Sequence, residues 1–195
     1  MKKRNFIIVM IILLSLSFVL IGCNSTRQID RYYERLKKAD SATIIIDMQV
    51  PIFGKMSMTM KMDDNKQYVS AIFDDVEKYT EVVGDKTYIY TRNPLGNWIK
   101  TESQTEEDEV SIEEEFEELF NSKNYEYSKD LEKFVLKDDV NPEFWDEMQA
   151  NSLTLEIDGD NCIISGEVNS KGMVMEISIT IKDLNKTEIT LPTVT

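Results

Sequence analysis

The side chains with the most unusual spacing in this chain are thioethers. Met56, Met58, Met60 and Met62 alternate with Lys55, Ser57, Thr59 and Lys61, while Met48, Met173 and Met175 stand in two further alternating runs. In a strand that alternation puts the first four on one face. Three fates suit such a face. Flexible thioether chains conform to varied apolar partners, so the stripe would line a cavity for acyl chains. Thioethers at i, i+2 and i+4 also suit a soft ion such as Cu(I), although no metal is assigned here. Plain burial in a core is the commonest fate of an apolar stripe. The ligand-lining set that follows from the cavity reading is Ile44, Ile46, Met48, Met56, Met58, Met60, Met62, Met173, Met175 and Ile177.

Other chemistry is thin. The chain has no histidine, which excludes Ser-His-Asp and Cys-His triads and His-based metal centres. A formal charge of −14 has the wrong sign for binding nucleic acid. Cys162 shares an apolar strand side with Ile164, so an inert buried thiol is expected rather than a nucleophile. Carboxylates are plentiful, yet none sits in a motif that fixes an acid and a base at a defined separation. The run Glu106–Glu118 contains acidic residues and no basic one; lacking the Asp-x-Asp-x-Asp-Gly pattern of a calcium loop, it reads as a solvated helix face. Asp158-Gly159-Asp160-Asn161 reads as a hairpin turn. Tyr88, Tyr90 and Trp98 would suit stacking on a sugar or a lipid headgroup, but aromatics are ordinary in strands. No glycine-rich phosphate loop is present, no cofactor is implied, and no catalytic residue is assigned.

The elements that must position these residues are mostly strands. Gln28 to Ala39 carries Ile29, Tyr32, Tyr33 and Leu36 at helical spacing. From Ser41 the period changes to two. Thr43–Val50, Lys55–Met62, Gln67–Phe73, Lys78–Val83, Lys86–Thr91 and Asn97–Thr101 form a meander with short turns between them. Ser111 and Glu114 make a capping-box pattern ahead of Ile112, Phe116, Leu119 and Phe120, which predicts an amphipathic helix. Tyr125–Tyr127 and Lys133–Leu136 read as short strands. Asn141-Pro142-Glu143, leading to Phe144, Trp145 and Met148, reads as a helix start. Leu153–Ile157, Cys162–Val168 and Met173–Ile181 return to strand, and Thr187–Leu191 is expected to close the chain as a last strand. About ten strands with two or three helices imply an α+β fold: one large curved antiparallel sheet, an incomplete barrel, with helices over its concave apolar face.

The N-terminus reads as an address. Lys2, Lys3 and Arg4 precede an apolar run from Phe6 to Leu20, and Leu20-Ile21-Gly22-Cys23 follows. The ending resembles the bacterial lipobox, in which the cysteine receives a diacylglyceryl group and becomes the first mature residue. That implies a signal peptide over 1–22, lipidation of Cys23, a tether over 23–27 and one domain over 28–195. Two long acyl chains hold far better than the single chain of a myristoyl group. Removing the signal takes away three positive charges and no negative ones, leaving a still more acidic protein, and Cys162 then has no thiol to pair with.

Together with the lipobox, the helix-first order, strands such as Lys55–Met62 and Glu81-Val82-Val83-Gly84-Asp85-Lys86-Thr87-Tyr88, and the ending Thr187-Glu188-Ile189-Thr190-Leu191-Pro192 resemble the LolA-like superfamily of bacterial lipoproteins and lipoprotein carriers, with its LppX/LprG group. The resemblance spans most of 28–195 and implies a half-barrel whose helices plug an apolar cavity. It includes no catalytic fingerprint, and fold does not fix function. The expected function is therefore that of a non-enzymatic, membrane-anchored extracytoplasmic lipoprotein. It would bind a lipid-like ligand or a lipidated partner between sheet and helices. The alternative is a surface module with a filled core that binds a protein or the cell wall; an envelope hydrolase is a weaker third. Lysine, isoleucine and asparagine usage and the lack of histidine point to an AT-rich genome and a Gram-positive bacterium, with the protein on the outer leaflet of the plasma membrane.

Overall fold

The computed structural model describes residues 26–72, 76–103, 116–144 and 148–194. Residues 1–22, where a signal peptide is expected, Cys23, Ser111 to Glu115 and Trp145 lie outside the described residues. Among the described residues are twelve strands and one α-helix, α1 (Arg27–Leu36). The first six strands are β1 (Ser41–Val50), β2 (Gly54–Asp63), β3 (Lys66–Ala71), β4 (Val76–Val83), β5 (Lys86–Arg92) and β6 (Trp98–Ser103). The second six are β7 (Tyr125–Ser128), β8 (Lys133–Leu136), β9 (Glu143–Phe144), β10 (Met148–Asp158), β11 (Asn161–Ser170) and β12 (Met173–Lys182). They form a single antiparallel sheet in the order β6-β5-β4-β3-β2-β1-β12-β11-β10-β8-β7, with β9 also on β10. The sheet is open: β6 and β7 are its two edges. No helix among the described residues is long and apolar enough to cross a membrane.

Local chemistry accounts for most of this. Alternation in β1 gives Ala42, Ile44, Ile46, Met48 and Val50 one face and Thr43, Asp47 and Gln49 the other. Two-residue turns at Asp64-Asn65 and Gly84-Asp85 join β2 to β3 and β4 to β5; Asp64 (φ 47°) and Gly84 (φ 65°) adopt the left-handed backbone that such hairpins require. Between β10 and β11 the register shifts at Ala150/Ser152, a bulge that brings backbone against backbone. There Gly166 has φ 154°, and a Cβ on it would stand 1.8 Å from the Ser152 carbonyl oxygen. Only glycine fits that approach.

The core lies on one face of one part of the sheet. Ile44 and Ile46 on β1, Ile177, Ile179 and Ile181 on β12, Cys162, Ile164 and Val168 on β11, and Leu153 and Leu155 on β10 are buried together. Ile29, Tyr32 and Leu36 of α1 join the same cluster, as do Phe116, Leu119 and Phe120. The Phe120 ring stacks on Tyr32 (5.6 Å between centroids) and Tyr33 (5.4 Å), tying the 3-10 turn Glu118–Phe120 to the helix.

Three expectations are corrected. Helix 28–39 is shorter, ending at Leu36. Glu143–Phe144 is a strand pairing with Met148 and Gln149, not the start of a helix, and Met148 opens β10. Thr187–Leu191 is not a strand. It is held by side chains instead: Thr187 Oγ1 lies 2.9 Å from Thr43 Oγ1, the Thr187 amide donates to Ser41 Oγ, and the Ile189 amide donates to Asp63 Oδ2.

Candidate functional site

The methionine face is built by register. Met56, Met58, Met60 and Met62 stand opposite Met48, Ile46, Ile44 and Ala42 across β1 and β2. On the far side of β1, Met48, Ile46 and Ile44 meet Ile177, Ile179 and Ile181. Burial divides the ten predicted lining residues. Ile44, Ile46, Met175 and Ile177 are interior, packed among the protein's own side chains. Met48, Met56, Met58, Met60, Met62 and Met173 are half-buried and border that cluster. Beyond β2 the face soon turns polar. Met60 is followed by Val69, Lys78 and Thr91, and Met62 by Gln67, Thr80 and Ile89. The methionines thus form a seam between a sealed core and a wet sheet surface.

A second grouping lies on the opposite face. Lys61, Tyr68, Tyr79, Tyr90 and Lys100 form one continuous cross-strand row over β2 to β6. Tyr79 packs against Tyr68 at 4.7 Å and edge-on against Trp98 at 5.3 Å. Lys100 lies 3.9 Å from the Tyr88 ring centroid and Arg92 4.4 Å from that of Trp98. The Tyr90 hydroxyl donates to Glu81 Oε2 at 2.8 Å, and Lys100 reaches the same oxygen at 3.3 Å. The hydrogen bond from Tyr90, aided by the lysine, holds the Glu81 carboxyl below its usual range. Sequence reading singled out Tyr88, Tyr90 and Trp98 but not the row, because the row depends on hairpin register.

A third feature is an open cleft of about 570 Å³ where α1 meets the β10–β11 turn, lined by Gln28, Asp30, Arg31, Glu34, Arg35, Ile157 and Gly159. Arg35 donates to Asp160 and to the Gly159 carbonyl, Gln28 to the Ile157 carbonyl, and Lys186 also pairs with Asp160. The Lys186 hydrogen bond and charge lower the Asp160 carboxyl pKa. Asp160 therefore pins helix, hairpin and C-terminal segment at one point. No local sequence pattern marks this cleft, since its walls are far apart in the chain.

Among the described residues, Cys162, Tyr32 and Tyr125 are buried. Burial pushes the Cys162 thiol far above its usual range, so the reactive thiolate is suppressed. Burial does the same to the phenols of Tyr32 and Tyr125, whose hydroxyls bond to the carbonyls of Asp160 and Leu119. No group of three or more Cys, Asp and Glu side chains among the described residues converges on a metal position. No protein-family model and no curated protein matches the chain.

Proposed function

We propose that this protein is a non-enzymatic, extracytoplasmic lipoprotein, anchored to the bacterial cell membrane through lipidated Cys23. In this reading it takes an apolar, lipid-like ligand, or the acyl chains of a lipidated partner, on the methionine face. The sheet would act as an incomplete barrel, with helices over its concave side. The observation that carries the reading is the half-burial of Met48, Met56, Met58, Met60, Met62 and Met173 at the border of the core. Exposed apolar surface continuous with a core is area that a greasy ligand removes from water, at roughly 25 cal/mol per Å². Six unbranched thioether side chains also adapt to ligands of different shape.

Lipid extraction and native mass spectrometry of protein purified without its signal test this directly. Co-purified lipid is expected, with its yield falling several-fold when Met58 and Met60 are both replaced by phenylalanine to fill the seam. Lipid-free protein at full recovery would remove the reading. The second reading, a surface interaction module with a filled core, draws on one observation: Ile44, Ile46, Met175 and Ile177 are occupied by intramolecular packing. It predicts no co-purified lipid and an unchanged protein after the phenylalanine substitutions.

A further inference from the structure

Alternation and register assign every side chain of β1 to β6 to one of two faces. The methionine face and the opposite face differ sharply in charge. Asp47, Asp63, Glu77, Glu81 and Glu102 all stand on the opposite face, together with Arg92 and every lysine of these strands but one. The exception is Lys78. It follows Met60 and Val69 in one cross-strand row and is the one charged residue, among the described residues, that β1 to β6 place on the methionine face.

The ordinary reasons for a lysine on such a face do not apply. An inward charge protects an exposed sheet edge, but β4 is interior, paired to β3 on one side and to β5 on the other. Nor is Lys78 simply in water: it is half-buried, with Val69 and Thr91 directly opposite and Val76 and Thr80 two residues away along β4. Withdrawing an ammonium from water costs free energy that only oxygen partners offset. Its neighbours on this face are uncharged donors, the hydroxyls of Thr80 and Thr91 and, in the next row, the Gln67 amide. A cation among neutral donors, with the carboxylates of these strands kept to the other face, is a setting for an anion. Lys78 already interacts within the chain, and its three N–H donors serve a protein group and a ligand oxygen together.

We infer, resting on the acyl reading of the methionine seam, that Lys78 with Thr80 and Thr91 binds the anionic head, phosphate or carboxylate, of an amphiphile whose acyl part lies on that seam. Met60 and Lys78 are two strand spacings apart in one row, about 10 Å. One lipid molecule spans that distance. A neutral lipid covers the same apolar area but gives the ammonium no counter-charge, so the site selects by charge what the seam holds by area.

The test uses the full-length chain in phosphatidylcholine vesicles with a trace of one photoreactive probe, each carrying a diazirine on its acyl chain: phosphatidylglycerol, a free fatty acid or diacylglycerol. Labelling is mapped to the peptide that contains Met56, Met58, Met60 and Met62. Phosphatidylglycerol or the fatty acid is expected to label it several-fold more than diacylglycerol does, and the stronger of the two identifies the anion as phosphate or carboxylate. Lys78→Met should bring that ratio to about one, while Lys78→Arg and, on the opposite face, Lys66→Met should keep it; circular dichroism verifies that each variant is folded. Equal labelling by all three probes overturns the inference and leaves the acyl reading standing. A preference that survives Lys78→Met overturns it as well. Labelling by none of the probes removes the acyl reading and the inference together.

Discussion

On β1, β10, β11 and β12 the core-face side chains Ile46, Leu155, Ile164 and Ile179 are wholly buried, whereas on β3 to β5 the same face of the same sheet carries Val69, Thr80 and Ile89, each half exposed. Both regions alternate with period two and both pair without a break. The difference is cover. α1 and residues 116–120 contribute buried side chains to the first region, and no described residue seals the second in that way. The meander compensates on its other face, where tyrosines, Trp98, lysines and glutamates pair across strands. Such pairs contribute about 0.2 to 1 kcal/mol each, far less than burial of a large aliphatic side chain. One half rests on a core and the other on its surface.

The comparison breaks most sharply at Gly166. A Gly166→Ala variant should lose about 4 kcal/mol or more of stability, because its Cβ meets backbone rather than a movable side chain; a near-native denaturation midpoint would show that the bulge can shift. Next comes a matched pair of truncations. Ile164→Ala should cost about 2 to 5 kcal/mol, and Ile89→Ala about 1 kcal/mol or less, in chemical denaturation. Equal costs would mean that the meander is sealed in solution. Amide exchange should follow the same division, with β3 to β6 opening at lower free energy than β1, β11 and β12. Smaller still is the ring contact of Tyr68 with Tyr79, for which a double-mutant cycle should return about 0.5 to 1.5 kcal/mol.

The smallest effect is electrostatic. Glu81 has its carboxyl pKa lowered by the Tyr90 hydroxyl and by Lys100, so its contribution is present above the ordinary value of 4.5 and is lost as pH falls through the lowered one. Tyr90→Phe should move the Glu81 titration upward in carboxyl-detected NMR and narrow that acid-side window. A titration that does not move would locate the meander's stability elsewhere.

The strands from Ser41 to Ser103 were legible because alternation and two-residue turns are local. The helix at 27–36 was legible for the same reason. Asn141-Pro142-Glu143 carries a helix-start pattern, yet the backbone there pairs with β10, where the Ala150 amide donates to the Pro142 carbonyl at 3.0 Å. A cap contributes about 1 kcal/mol, and a local signal of that size yields to sheet pairing. Thr187–Leu191 alternates like a strand, but both edges of β1 are already taken by β2 and β12. The segment therefore bonds to side chains of β1 and β2 instead. Within the candidate site, alternation identified the methionine face but not which of its members would be interior.

By itself the sequence determined which residues share a face, since the two-residue period is a property of the extended backbone. It also determined the acidic charge and the lack of imidazole chemistry. Only the tertiary structure decided that β1 meets β12, bringing distant parts of the chain side by side. It also decided where cover ends: Met60 and Ile46 both hold apolar positions of alternating strands, but whether a side chain is wet depends on what the rest of the chain lays over it. That is a non-local quantity, and no window along the sequence contains it.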